Sequence, residues 1–212
     1  MLIAARSSFA SRPRAVQLEW LYGKGPQWID TGLTLTQRHS ATIRFMIPST
    51  ANTYVTVFGA RKGWKNYAFC LFRDTATSGG CSVSVGFAGA TLSSSGYSLR
   101  DGAWHTVTLS SSGCVFDGRQ AASWSSGTFS TPATAKLFGL NWNGGGGVSD
   151  NIGAVRISSF SVLDGADLVL DLAPFRDRSG CFMLDRVSGA CLRNMGTGAF
   201  TPGPDKPRFN HA

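Results

Sequence analysis

The sequence predicts an all-β fold, a sandwich of two antiparallel sheets. Three observations predict it. Short apolar or alternating runs recur roughly every ten residues along the 212-residue chain, with turn residues between them. No segment keeps helical periodicity for three turns. The composition, with 26 Gly and only 15% charged residues, suits many short strands and turns rather than a helical bundle. The length fits one such sandwich, a fold that reaches ~200–250 residues as a single domain, and it suffices for a core without staples.

The elements follow in order. In Ala41–Ile47, Ile43, Phe45 and Ile47 share one face, and Thr42, Arg44 and Met46 share the other. Thr53–Ala60, Tyr67–Phe72 and Cys81–Ala88 read as the next strands. The clearest signal is Arg100–Gly118: an Asp-Gly turn, a Trp-led strand Trp104–Leu109, a short Ser/Gly turn, then a second strand ending in another Asp-Gly. Trp104 is expected as a core anchor, with His105 pointing the opposite way, toward solvent or the sheet's other face. Lys136–Leu140, Val155–Leu163 and Leu168–Leu172 complete the pattern. Trp20 and Trp28 lie in strand patterns and are also expected in the core. Thr75–Gly80, Ser93–Gly96, Ser123–Gly127 and Gly144–Gly147 read as linkers. There is no internal repeat or domain break: residues 1–16 read as a basic arm, 17–204 as the sandwich and 205–212 as a tail.

The formal net charge is +8, but the Lys and Arg are scattered. One tight group, Arg61, Lys62 and Lys65 around Trp64, reads as a solvated basic loop or a binding patch. No nucleic-acid motif accompanies the charge, so nucleic acid is not an expected partner. The five cysteines are an odd number, which argues against a complete disulfide framework. Cys70 with Cys81, and Cys181 with Cys191, are either bridges across hairpins or free thiols. The apolar run Leu2–Ala5 is too short for a signal-peptide core, and no run reaches transmembrane length. Membrane insertion is therefore not expected.

Four blocks carry a family resemblance. They are L-E-W-L-Y-G-K-G-P-Q-W-I-D-T-G-L at Leu18–Leu33, V-F-G-A-R at Val57–Arg61, the Arg100–Gly118 hairpin, and the closing Val155–Pro204 stretch with its N-M-G-T-G-A-F-T-P-G-P. In this order they resemble the laminin-G-like, concanavalin A-like jelly-roll modules of gut-bacterial and phage proteins. Trp28 and Phe175 depart from the usual Tyr and Cys of that pattern. The resemblance implies a two-sheet antiparallel jelly roll whose ends meet, with Trp28–Thr31 near Gly196–Thr201. It also implies an accessory or adhesive role, on a virion or at a cell surface, with oligomerisation expected.

The residues offer little for catalysis. Glycoside hydrolysis needs two carboxylates about 5–9 Å apart. The chain has one glutamate, Glu19, so the E-x-D-x-x-E and E-x-D-x-E motifs of concanavalin A-like endoglucanases are absent. Asp164, Asp167 and Asp171 are the alternative acids for an atypical Asp pair, although Asp164-Gly165 reads as a turn. No nucleophile elbow accompanies the three histidines, His39, His105 and His211. No cofactor motif is present. Calcium, which needs ~6–8 oxygen ligands, would draw on Asn141, Asn143, Asp150 and Asn151.

Sugar recognition needs an exposed aromatic face beside planar hydrogen-bonding groups. Trp142, bracketed by Asn141 and Asn143 before a run of four glycines, is the first candidate, and Trp64 and Trp124 follow. The expected function is thus a non-catalytic module that engages a glycan or a neighbouring protein subunit. The alternative is a glycan-active hydrolase on the same fold.

Overall fold

In the computed structural model the described residues are 15–49, 55–62, 66–74, 82–87, 90–94, 99, 101–123, 130–142 and 153–207. Among them all regular structure is strand, and no helix is long and apolar enough to cross a membrane. The first strands are β1 (Val16–Gln17), β2 (Leu21–Gly23), β3 (Ile29–Thr36), β4 (His39–Met46), β5 (Val55–Lys62) and β6 (Asn66–Asp74). Next come β7 (Ser82–Phe87), β8 (Ala90–Ser94), β9 (Trp104–Ser110), β10 (Gly113–Phe116), β11 (Arg119–Ser123) and β12 (Ser130–Leu137). The last are β13 (Asn141–Trp142), β14 (Val155–Asp164), β15 (Asp167–Asp177), β16 (Gly180–Asp185), β17 (Cys191–Arg193) and β18 (Thr201–Pro202).

They form two sheets. The larger runs β11-β10-β9-β4-β14-β15-β16-β17, with β1 beside β15, β2 beside β14 and β18 beside β2. The smaller runs β3-β12-β5-β6-β7-β8, with β13 beside β5. The pairings are antiparallel apart from β13 on β5. The expected alternation in β4 holds: Ile43, Phe45 and Ile47 are fully buried, while Arg44 is exposed. The core lies between the sheets. Phe58 of β5 meets Phe160 of β14 at 5.0 Å between ring centroids. Each such fully buried side chain stabilises the fold by about 1.5–3 kcal/mol.

The segments around Trp28 and Met195, far apart in sequence, come together. The Met195 N–H donates to the Trp28 carbonyl (2.8 Å), and the Trp28 N–H donates to Asn194 Oδ1 (3.1 Å). Pairing extends a residue beyond the expected 17–204 unit at each side, since Val16 pairs with Arg176 and Leu18 bridges Asp205.

Two expectations reverse in the central hairpin. His105 is buried, and Trp104 lies on the outer face of the larger sheet. The register explains it. Phe45, an inward residue of β4, stands opposite His105, and the outward Met46 stands opposite Trp104. Successive strand residues alternate faces, so His105 shares the core side with Val107 and Leu109. Trp20 is likewise only half-buried, whereas Trp28 is buried as expected.

The hairpin's second Asp-Gly forms its predicted turn. Asp117 and Gly118 have φ of 47° and 78°, the left-handed pair of a type I′ connection between Phe116 and Arg119.

Cys181 and Cys191 are free thiols rather than a bridge. Cys191 pairs with Leu184, three positions along β16 from Cys181, or about 10 Å at strand rise. Cys114 is free and buried, and its burial pushes the thiol pKa up to about 11. Cys81 lies outside the described residues, and of Cys70 only the backbone, in β6, is described.

Candidate functional site

The outer face of the larger sheet carries a continuous lateral row of side chains. Thr201 (β18) pairs with Tyr22 (β2), Tyr22 with Arg156 (β14), Arg156 with Met46 (β4), and Met46 with Trp104 (β9). The inner counterpart is apolar: Leu21, Ile157 and Phe45 are fully buried. Alternation therefore forces the polar and aromatic set outward once the inner set is in the core. At about 4.8 Å between strands, the row spans roughly 19 Å.

Two arginines lie on rings in this band. The Arg156 guanidinium stands 4.5 Å from the Trp20 centroid and 5.7 Å from that of Tyr22. The Arg44 guanidinium stands 4.9 Å from the Trp104 centroid. Trp20 also packs against Gly203, where a Cβ would meet the indole at 2.6 Å, so only glycine permits this close approach. Its carbonyl accepts from the Gly203 N–H at 2.9 Å. Such cation–ring contacts are worth ~0.5–1 kcal/mol each at exposed sites.

Hydroxyls fill the neighbouring outward positions. Thr106 and Ser159 flank Arg44, and Thr42 and Thr108 of the next row share a 2.8 Å hydrogen bond. A face of flat rings, forked cations and hydroxyls can stack on a planar or ring-shaped ligand and hydrogen-bond to its edges.

Beneath the same strand, His105 is clamped by the two Asp-Gly turns. Its Nδ1 is 2.8 Å from Asp117 Oδ2, and its Nε2 is 3.1 Å from Asp101 Oδ1. The ring packs on Phe116 and Phe45, with centroids at 5.0 and 6.2 Å. Each aspartate also accepts a backbone N–H, from Ala103 (2.8 Å) and from Thr106 (2.7 Å). Burial works to raise the Asp101 carboxyl, but the Ala103 N–H and the His105 ring outweigh it and hold the group below its ordinary range. The two carboxylates sit on opposite sides of the imidazole, so the three side chains do not converge on one point. Among the described residues no group of histidine, cysteine and carboxylate side chains could hold a metal ion. The arrangement ties the hairpin's turns to its core.

A second polar cluster joins the smaller sheet to the C-terminal crossing. Lys136 of β12 is 2% exposed, stands opposite Asp30 of β3, and is paired with it. Its ammonium donates to Thr134 Oγ1 (3.0 Å) and lies 4.8 Å from the Trp28 centroid. Burial works to raise the Asp30 carboxyl, and the bond from Lys136 leads the contacts that bring it below its ordinary range.

The sugar-site candidates fall elsewhere. Trp64, Trp124 and Asn143 lie outside the described residues, as do the calcium candidates Asp150 and Asn151. For Asn141 and Trp142 only the backbone is described. It forms β13, in register with Ala60 and Arg61, which brings the Trp142 position beside the start of the basic group. Of the candidate acids, two stand on one turn and the third apart from them. Asp164 and Asp167 face each other across the β14–β15 turn, with Asp164 paired to Arg38 at 2.9 Å. Asp171 is further along β15 and paired to Arg186 at 2.7 Å.

The residues of the outer row were absent from the sequence-derived candidates. One signal for them was available: Trp104 shares parity with Thr106 and Thr108, and His105 with Val107 and Leu109. The pairing of Arg156 with Trp20, and of Arg44 with Trp104, links distant parts of the chain and leaves no local signature. No protein-family model matches the chain, and no curated protein matches it at a significant level.

Proposed function

We propose that this chain is a non-catalytic binding or assembly module, a jelly-roll sandwich of the concanavalin A-like type on a virion or cell surface, engaging a glycan or a neighbouring subunit. One observation carries the reading: the outward row of Tyr22, Arg156, Met46 and Trp104, extended by Trp20 and Arg44, on strands whose inner face packs in the core. A protein that needed these side chains only for stability would bury the rings. Here the rings lie half-buried and hold cations at the surface. The non-catalytic part rests on how most of the described aspartates, Asp167 apart, are engaged. Asp30, Asp164, Asp171, Asp177 and Asp205 pair with Lys or Arg, and Asp101 and Asp117 hold His105.

A glycan-array screen followed by a turnover assay on the same polysaccharides tests the proposal. The expected result is binding without turnover, weakened at least tenfold in Trp104→Ala. Turnover that disappears in Asp171→Asn would establish the hydrolase alternative instead.

A further inference from the structure

We infer that the ligand of the outer row is an acidic polysaccharide, whose carboxylate or sulfate groups sit on Arg44 and Arg156. This rests on the reading of the row as a binding face and names what the face selects.

Arg38, Arg176, Arg186 and Arg193 each pair with an aspartate. Arg44 and Arg156 pair with no carboxylate among the described residues, and aromatic rings hold them instead. A ring supplies no strong hydrogen-bond acceptor, so these contacts leave the guanidinium N–H groups to seek another partner. For Arg156 the available bonding is poor: Nη1 meets only the thioether of Met46 at 3.4 Å, and Nε, shielded from solvent, has no hydrogen-bond partner. A thioether is a weak acceptor, so this guanidinium retains donor capacity that an oxyanion would use.

Geometry supports a polymer with repeating charge. Arg156 stands opposite Met46 and Arg44 opposite Ser159 on the adjoining strands β14 and β4. The two cations are thus diagonal neighbours, about 7–8 Å apart at the backbone. A single small anion would use one of them, whereas an extended chain lying across the strands meets both. The rings of Trp20, Tyr22 and Trp104 offer faces for sugar C–H groups, and Thr42, Thr106, Thr108 and Ser159 offer hydroxyls beside them. The net charge of +8 favours approach of a polyanion. Asp117, at the end of the neighbouring strand, is turned to His105 Nδ1 and the Thr106 N–H. Nucleic acid shares the negative charge, but the hydroxyl rows favour a polyhydroxylated ligand.

The test is a binding titration of the full chain at about 50 and 200 mM salt. The probes are polygalacturonate, dextran sulfate, neutral dextran and a single-stranded oligonucleotide. The proteins are the parent, Arg44→Ala/Arg156→Ala, Arg44→Lys/Arg156→Lys and Trp104→Ala, each first checked to be fully folded at the assay temperature by a cooperative thermal transition. The lysine pair keeps the charge and removes the fork, so it serves if the alanine pair fails to fold. The expected result is binding to an acidic polysaccharide and not to dextran, at least tenfold weaker in the alanine pair and severalfold weaker in the lysine pair. If dextran binds, and Trp104→Ala weakens it while the arginine variants do not, the acidic ligand is wrong and the binding face stands. If no probe binds, or no variant changes binding, the face itself is wrong. If the oligonucleotide binds most tightly, the polysaccharide assignment is overturned.

Discussion

Replacing His105 with alanine should destabilise the protein by about 3–4 kcal/mol, and replacing Trp104 should cost less. The histidine is 7% exposed and bonded at 2.8 and 3.1 Å to two aspartates. A hydrogen bond to a charged group contributes about 1.5–3 kcal/mol. The Asp101 and Asp117 side chains are 41% and 43% exposed, so solvent screening places each bond at the low end of that range. Together they supply about 3 kcal/mol, and the void beside Phe45 and Phe116 adds a smaller amount. The aspartates keep their bonds from the Ala103 and Thr106 N–H groups, so neither is left stranded. Trp104 by contrast gives up about 0.5–1 kcal/mol of contact with Arg44 and the burial of part of its ring, and it leaves no buried polar partner behind. For a chain of this size each kcal/mol moves the melting temperature by about 2–4 °C, so His105→Ala should melt about 6–16 °C lower. Urea titrations and thermal melts of both variants supply the comparison. A Trp104→Ala variant less stable than His105→Ala would refute the assignment of the two sheet faces.

Other consequences follow from the same structure. Asp30, Asp101 and Asp185 have carboxyls below their ordinary value of 3.8: burial opposes this in each, and the bonds from Lys136, the Ala103 N–H and the Ser188 hydroxyl outweigh it. A lowered folded-state value means stability that is full above about 3.8 and is lost as pH falls through the folded value. Melts should therefore be flat from pH 7 to 5 and decline below 4; a flat profile down to pH 2 would contradict this. Lys136→Met should cost about 2 kcal/mol, because Asp30 loses its partner but its side chain is 32% exposed; an unchanged urea midpoint would show that the pair contributes nothing. Thiol labelling of the native protein, mapped by mass spectrometry, should modify exposed Cys191 quickly and Cys114 only on unfolding, since Cys114 is 1% exposed with its thiol pKa raised to about 11. Equal labelling of both would contradict the burial of β10.

Much of the fold was legible because its signals are local. Period-two alternation placed β4, β9 and β14 within a residue or two, and the Asp-Gly at Asp117–Gly118 marked its turn through a conformation that glycine supplies. Less legible was which face of a strand turns inward when both carry an aromatic ring. Trp104 and His105 compete for the core side, and size favours the tryptophan. The neighbours settle it: Val107 and Leu109 bury their own parity, and a lone tryptophan on a threonine-rich face follows the threonines outward. Nor could the sequence show that Arg44 and Arg156 fall diagonally on adjoining strands, because that depends on the β4–β14 register and its irregularity between Ile157 and Ser159.

The most direct test of the central claim uses fluorine NMR. The chain has six tryptophans, Trp20, Trp28, Trp64, Trp104, Trp124 and Trp142, and 5-fluorotryptophan labelling gives each a signal that single Trp→Phe variants assign. On titration with the polysaccharide that binds, the account predicts shifts at Trp20 and Trp104 while buried Trp28 stays still. Shifts confined to Trp64, Trp124 or Trp142, with Trp20 and Trp104 unmoved, would contradict it and return the site to the loops.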